Sequence, residues 1–214
     1  MSGRVCASPA WLMVGLGNPG GAYHTTRHNL GFWVIEEIAD RAGVSLWENS
    51  VMMARAPAQI GATAVMLVKP LGWMNRSGGA VSSALSSTGL PPERLVVVCD
   101  DVALPDGRIR MRTGGSSGGH KGLASIIEAV GTDEFVRVRI GVGSFRTGED
   151  DLSDFVLRPL TGDEQRGFVL ACRQAAEMIE SCVQQGAFSA MTLDSMRARL
   201  APEGEDSPGG AGLS

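Results

Sequence analysis

No stretch of this 214-residue chain approaches the 18 apolar residues that a membrane-spanning helix requires. The apolar patch near the start, Trp11 to Leu16, runs into a glycine turn and lacks the layout of a secretory signal, so it reads as a first β-strand. Cysteine is sparse. Cys6, Cys99, Cys172 and Cys182 form no C-x-x-C pair, and a chain of this length has core enough to fold without disulfides. Reduced thiols in the cytoplasm are the expectation. Positive charge is also lacking overall: 19 Lys and Arg against 23 Asp and Glu give −4. That total argues only weakly against a nucleic-acid partner, because it hides an asymmetry.

Between Gly107 and Arg146 stand seven basic residues, Arg108, Arg110, Arg112, Lys121, Arg137, Arg139 and Arg146. Three acids, Glu128, Asp133 and Glu134, leave this segment at +4. Such a face suits phosphate, although a solvated strand face would look the same. Strand and helix patterns alternate along the chain. Trp11–Gly17, Ala62–Lys69 and the apolar run Leu95–Cys99 predict strands, the last covered on both faces. Arg108–Arg112 and Phe135–Gly143 alternate basic with apolar residues and predict strands with one charged face. Helices are predicted over Asn29–Ala42, Ser77–Ser87, Gly122–Val130 and Gly162–Gln185, with a further short one near Ala187–Leu200. With no repeat and no linker, the chain divides into an N-terminal extension (1–10), one domain (11–200) and a disordered tail rich in Gly, Pro, Ser and acid (201–214). The fold class is α/β, a single-domain three-layer sandwich. Its sheet is mixed, mostly parallel and twisted, with helices on both faces.

Three glycine-rich loops follow strands and gather polar groups. One holds Asn18, Tyr23, His24, His28 and Asn29, another Trp73, Met74 and Asn75, and the last His120 and Lys121. Asp100 and Asp101 end the most apolar strand. Open α/β sheets place their sites outside the carboxyl ends of strands, which converges Asn18, His28, Asn75, Asp100 and His120 on one cleft. Gly15-x-Gly17-x-x-Gly20 matches a dinucleotide fingerprint. The helix that should begin within those glycines begins only near Asn29, so no helix N-terminus is in place for a pyrophosphate. Gly114 to Gly122 lacks the Gly-Lys-Ser/Thr ending of a nucleotide phosphate loop; its glycines instead let backbone approach a bulky ligand. His24 and His28 are spaced like a helical metal pair, with Asp100 and His120 as further ligands, but no helical pattern carries them. The bland readings are strand-end caps for Asp100 and Asp101 and helix-start packing for His28.

Taken in order, the motifs resemble the bacterial peptidyl-tRNA hydrolase family. They are Gly15-Leu16-Gly17-Asn18-Pro19-Gly20 with Tyr23, Thr26-Arg27-His28-Asn29, Met74-Asn75-x-Ser77-Gly78, Asp100-Asp101 with Leu104-Pro105, and Gly118-Gly119-His120-x-Gly122. Arg139-Ile140-Gly141-Val142-Gly143 and Asp154-Phe155-Val156-Leu157 complete the series, which runs from about Leu12 to Arg197. The resemblance implies a monomeric α/β enzyme without metal or cofactor, acting on the ester at the 3′ end of peptidyl-tRNA. It implies that His28 is the catalytic histidine and Asp100 the carboxylate that orients it. Asn18 and Asn75 match the amides that hold the peptide and ester end, and Tyr23 and Met74 match walls near the 3′ end. Arg108, Arg110, Arg112 and Arg139 match the surface for the acceptor stem. His120 and Lys121 border the site, and Lys121 departs from the asparagine usual in the family. Direct attack by water is favoured, since no serine elbow is present to form a covalent intermediate. The alternative is a non-catalytic RNA-binding protein on the same fold.

Overall fold

The computed structural model describes residues 8–143, 151–188 and 191–192. Strand β1 (Trp11–Gly15) leads through coil and a 3-10 turn (Arg27–Asn29) into helix α1 (Leu30–Arg41). A short β2 (Glu48–Asn49) precedes the hairpin β3 (Met53–Ile60) and β4 (Thr63–Pro70). There follow α2 (Ser77–Thr88), β5 (Leu95–Asp101), β6 (Ile109–Thr113), α3 (Lys121–Val130) and β7 (Val136–Gly141). The remaining elements are α4 (Leu152–Leu157), α5 (Gly162–Gln184) and β8 (Met191–Thr192).

Among the described residues all strands join one sheet in the order β2-β3-β4-β1-β5-β7-β6-β8. The central four, β4, β1, β5 and β7, are parallel neighbours. β3 and β6 run against them, and β2 and β8 run against those in turn, so most strands share one direction. Strand alternation then builds two cores. Trp11, Met13, Val96 and Val98 face α1 and α5, meeting Leu30, Val34, Ile38, Phe168 and Ile179. Leu12, Val14, Leu95, Val97 and Cys99 face α2 and α3, meeting Val81, Leu85, Leu123 and Ile126. Each fully buried Leu, Val or Ile contributes roughly 1.5–3 kcal/mol, so the three layers hold together chiefly by these two apolar interfaces. The expected α/β sandwich is the fold.

The glycine fingerprint turns out to serve packing. A Cβ on Gly15 would lie 2.2 Å from the Gly31 carbonyl oxygen, and one on Gly31 would lie 2.4 Å from that of Val98. α1 therefore seats directly on β1 and β5, and only glycine fits at the contact. Other elements depart from the sequence reading. β3 and α4 were not anticipated. Near Ala187–Leu200, where a helix is expected, Met191–Thr192 instead pairs antiparallel with β6 and covers its edge. Residues 189–190 and 193–200 lie outside the described residues, as do 1–7 of the extension and the tail 201–214. Cys99, Cys172 and Cys182 are buried and form no disulfide among the described residues. Among the described residues, no helix is long and apolar enough to cross a membrane.

Candidate active site

The carboxyl ends of β1 and β5 open on a cleft of about 370 Å³, room for the end of a larger ligand. Asn18, His28, Met74, Asn75, Asp100, His120, Lys121 and Arg139 all line it. Tyr23 stands one residue back. Its ring meets Trp73 edge-on at 5.9 Å, and Trp73 is the cleft residue. Arg108, Arg110 and Arg112 lie outside the lining.

Asp100 is buried at the end of β5 and 3% exposed. One of its oxygens, Oδ1, meets two imidazoles: His28 Nδ1 at 2.8 Å and His120 Nε2 at 3.1 Å. The rings lie 5.1 Å apart. Burial alone would push this carboxyl up. The charges of His28 and His120, with their hydrogen bonds, outweigh it and hold the group well below the usual carboxylate range. Asp100 is thus a fixed negative charge. With Nδ1 turned to it, His28 keeps Nε2 for the cleft.

The turn that carries His28 is anchored on both sides. Asn29 Oδ1 accepts from the Asn18 backbone N–H, and its Nδ2 donates to the Asn18 carbonyl, each at 2.9 Å. Arg27 is buried, ion-paired with Glu164 and stacked 4.8 Å above Phe155. Thr26 forms a β-bridge with Pro159, and Leu160 N–H donates to the Thr25 carbonyl at 2.8 Å. Asn18 is likewise fixed. Its Oδ1 accepts from the Met74 backbone N–H at 2.8 Å. A backbone N–H can only donate, so the amide orientation is set and Nδ2 remains as a donor for a ligand.

The basic strands sort into three kinds. Arg110 and Arg139 face each other across β6 and β7 and share Asp101 Oδ2, at 3.3 and 3.2 Å. Arg112 is exposed. Arg137, one of the basic residues counted from the sequence, is 1% exposed, stacked 4.2 Å from the Phe135 ring, and donates to the Asp133 carbonyl at 2.9 Å. It braces the sheet and adds nothing to the surface charge. Arg146 lies outside the described residues.

His28, Asp100 and His120 have ligating atoms within 4.8 Å of one another, a set that could hold a divalent ion. Both ring nitrogens already meet one carboxylate oxygen, however, so an ion there would have to displace two N–H protons. His24 takes no part; its carbonyl accepts from Trp33 Nε1 at 2.8 Å. Sequence reasoning missed one wall of the cleft, the Leu152, Ser153, Val156 and Leu157 side chains of α4. Six residues show too little periodicity to register. The local signal is Asp151, which caps α4 by accepting from Ser153 N–H at 2.7 Å. On the bland reading Asp101 is a strand-end cap. It is one, accepting from Ala103 N–H at 2.9 Å, and it also ties two arginines.

The peptidyl-tRNA hydrolase family pattern matches residues 12–200. A peptidyl-tRNA hydrolase of Carboxydothermus hydrogenoformans is 42% identical over 85% of this chain and 96% of that one. Another, of Salinibacter ruber, is 44% identical over 80% and 89%. The crystal structure of peptidyl-tRNA hydrolase from Acinetobacter baumannii superposes with a TM-score of 0.76 at 34% identity, covering 84% of this chain and 90% of that one. With the pattern running through nearly the whole domain and a solved member sharing the fold, the chain belongs to the peptidyl-tRNA hydrolase family.

Proposed function

We propose that this cleft performs the reaction for which the family is named. Water hydrolyses the ester joining a peptide, or an N-blocked aminoacyl group, to the 3′ end of tRNA, and the tRNA is freed for reuse in translation. The observation that carries the reading is the His28–Asp100 pair at 2.8 Å, with His28 Nε2 left for the cleft. His28 Nε2 takes a proton from water as the oxygen adds to the ester carbonyl, and the Asp100 charge stabilises the imidazolium that forms. Asn18 Nδ2 is the preset donor for the carbonyl oxygen as it becomes an oxyanion. The imidazolium then returns the proton to the 3′ oxygen as the C–O bond breaks, giving a tRNA hydroxyl and a peptide carboxylic acid, which loses its remaining proton to solvent. Every step uses the chain's own groups, so the reading calls for no metal or cofactor.

Met74 and Asn75 flank the 3′ CCA end in this reading, with Tyr23 acting through Trp73 and Lys121 at the cleft rim. The acceptor stem lies along β6 and β7, where Arg108, Arg110, Arg112 and Arg139 meet its phosphates. Buried thiols outside any disulfide suit the reducing cytoplasm. A non-catalytic RNA binder would need the arginines but not the His28–Asp100 pair.

Purified protein should hydrolyse N-acetyl-aminoacyl-tRNA equally well with and without chelator. His28→Ala should lower kcat by about 10² to 10⁴ while tRNA binding persists. Turnover by His28→Ala at the native rate would refute the mechanism.

A further inference from the structure

His120 uses both nitrogens of one ring. Its Nδ1 accepts from the backbone N–H of Gly122 at 3.1 Å and of Leu123 at 3.3 Å, capping the first turn of α3. Its Nε2 meets Asp100 Oδ1 at 3.1 Å. A nitrogen that accepts two N–H groups holds its lone pair toward them, so the ring proton resides on Nε2 and is donated to Asp100. The His120 side chain is 7% exposed, which leaves the ring little freedom to turn over.

We propose that His120 is a positioning residue, locked as the Nε2–H tautomer by the N-terminus of α3 and pinning the Asp100 oxygen that orients His28. The inference rests on the reading of His28 as the base. The two histidines are alike in type and opposite in tautomer. His28 donates from Nδ1 and retains a lone pair on Nε2, whereas both His120 nitrogens are engaged within the fold. Only His28 can therefore take a proton from water. His120 supplies a second anchor to the carboxylate oxygen, so Asp100 cannot swing away from His28 Nδ1 without breaking a second hydrogen bond. Through the same ring, the partial positive charge of the first turn of α3 acts on Asp100. The other charged groups around this cluster are Asp101 of β5, Lys121 of α3, Arg139 of β7 and Asp151 ahead of α4.

Two measurements test this on the full chain. Long-range ¹H–¹⁵N correlation spectra of the labelled protein near neutral pH report each imidazole tautomer. His120 should carry its proton on Nε2 and His28 on Nδ1; a His120 proton on Nδ1 overturns the proposal. In kinetics, His120→Asn keeps an oxygen for the Gly122 and Leu123 N–H groups but is too short to reach Asp100. Its kcat should fall about tenfold, the low end of what one hydrogen bond to a charged group contributes, with KM unchanged. Native kcat in that variant would reduce His120 to a helix cap and overturn the proposal. A loss as deep as that of His28→Ala would make His120 a proton carrier and overturn it too. If the variant does not fold, the tautomer measured in the unaltered protein still decides. If the unaltered protein leaves the ester intact, it is the hydrolase reading that fails, not the tautomer assignment.

Discussion

Asp100→Asn separates charge from hydrogen bonding at the centre of the site. Both imidazoles meet the same carboxylate oxygen. An asparagine can keep its carbonyl oxygen in that position and place its NH₂ where the other oxygen was. Both hydrogen bonds then survive, both tautomers are retained, and only the negative charge is lost. In the proposed mechanism that charge stabilises the imidazolium formed as water attacks. A unit pair at about 4 Å and an effective dielectric of about 20 is worth about 4 kcal/mol. Each 1.36 kcal/mol of barrier is about tenfold in rate, and the charge is only partly developed at the transition state. kcat should therefore fall about 10²- to 10³-fold in single-turnover hydrolysis of peptidyl-tRNA, with Tm nearly unchanged. Asp100→Ala makes a useful contrast. It leaves two buried ring N–H groups without an acceptor, at about 1–3 kcal/mol each, so it should lower Tm as well as kcat. An Asp100→Asn enzyme within about threefold of the native kcat would refute the claim that Asp100 acts through its charge.

Two further outcomes follow from the arginines. Arg112→Ala should weaken tRNA binding and reduce the slope of log affinity against log salt by about one, with kcat at saturation preserved; an unchanged slope would remove Arg112 from the RNA face. Glu164→Gln probes the Arg27 anchor. Burial raises the Glu164 carboxyl, but hydrogen bonds from Thr161 and the Arg27 guanidinium prevail and hold it below its ordinary 4.5. A lowered folded value means that the stabilisation is complete above pH 4.5 and fades as pH falls through the folded value. The variant should lose about 1–2 kcal/mol in urea unfolding at pH 7, because the Glu164 side chain is 32% exposed and partly screened. The gap should narrow as pH falls below 4.5 and close once pH passes the folded value; a gap independent of pH would mean that the charge pair contributes nothing.

Much of the fold was legible because its core strands are extreme. Leu95–Cys99 is apolar throughout, and all five residues are buried under helices on both faces. α1 and α5 follow their apolar periodicity to within a residue. β3 was not legible, since Pro57 and its alanines depress strand propensity. The hairpin accommodates Pro57 opposite Met66, beyond the stretch where β2 pairs with β3 at Ala54 and Arg55, so no partner on that side requires its missing N–H. Arg137 and Arg139 are indistinguishable in sequence, two basic residues on one face of one strand. Only the tertiary fold lays Arg137 on Phe135 and gives Arg139 to Asp101. The convergence of Asn18, His28, Asn75, Asp100 and His120 on one cleft was legible because loops at strand ends concentrate polar groups. The Asp154–Leu157 motif marks part of α4, but nothing local ties a six-residue helix to a cleft formed by β1 and β5, so its place as a wall was not legible.

The anchoring of the His28 turn bears on how the protein comes into being at the ribosome. Thr26 is bridged to Pro159, and Arg27 is paired with a glutamate 137 residues later. Synthesis proceeds from the N-terminus at about 5–20 residues per second, so His28 emerges several seconds before the segment that clamps its turn. During that interval the sheet strands β1, β4 and β5 can already associate, but Arg27 has no counter-charge and the turn has no bridge. The clamped His28 turn that the proposed mechanism requires is thus among the last features the nascent chain acquires. A chain cut short before Pro159 would carry both His28 and Asp100 and still lack the clamp on the His28 turn.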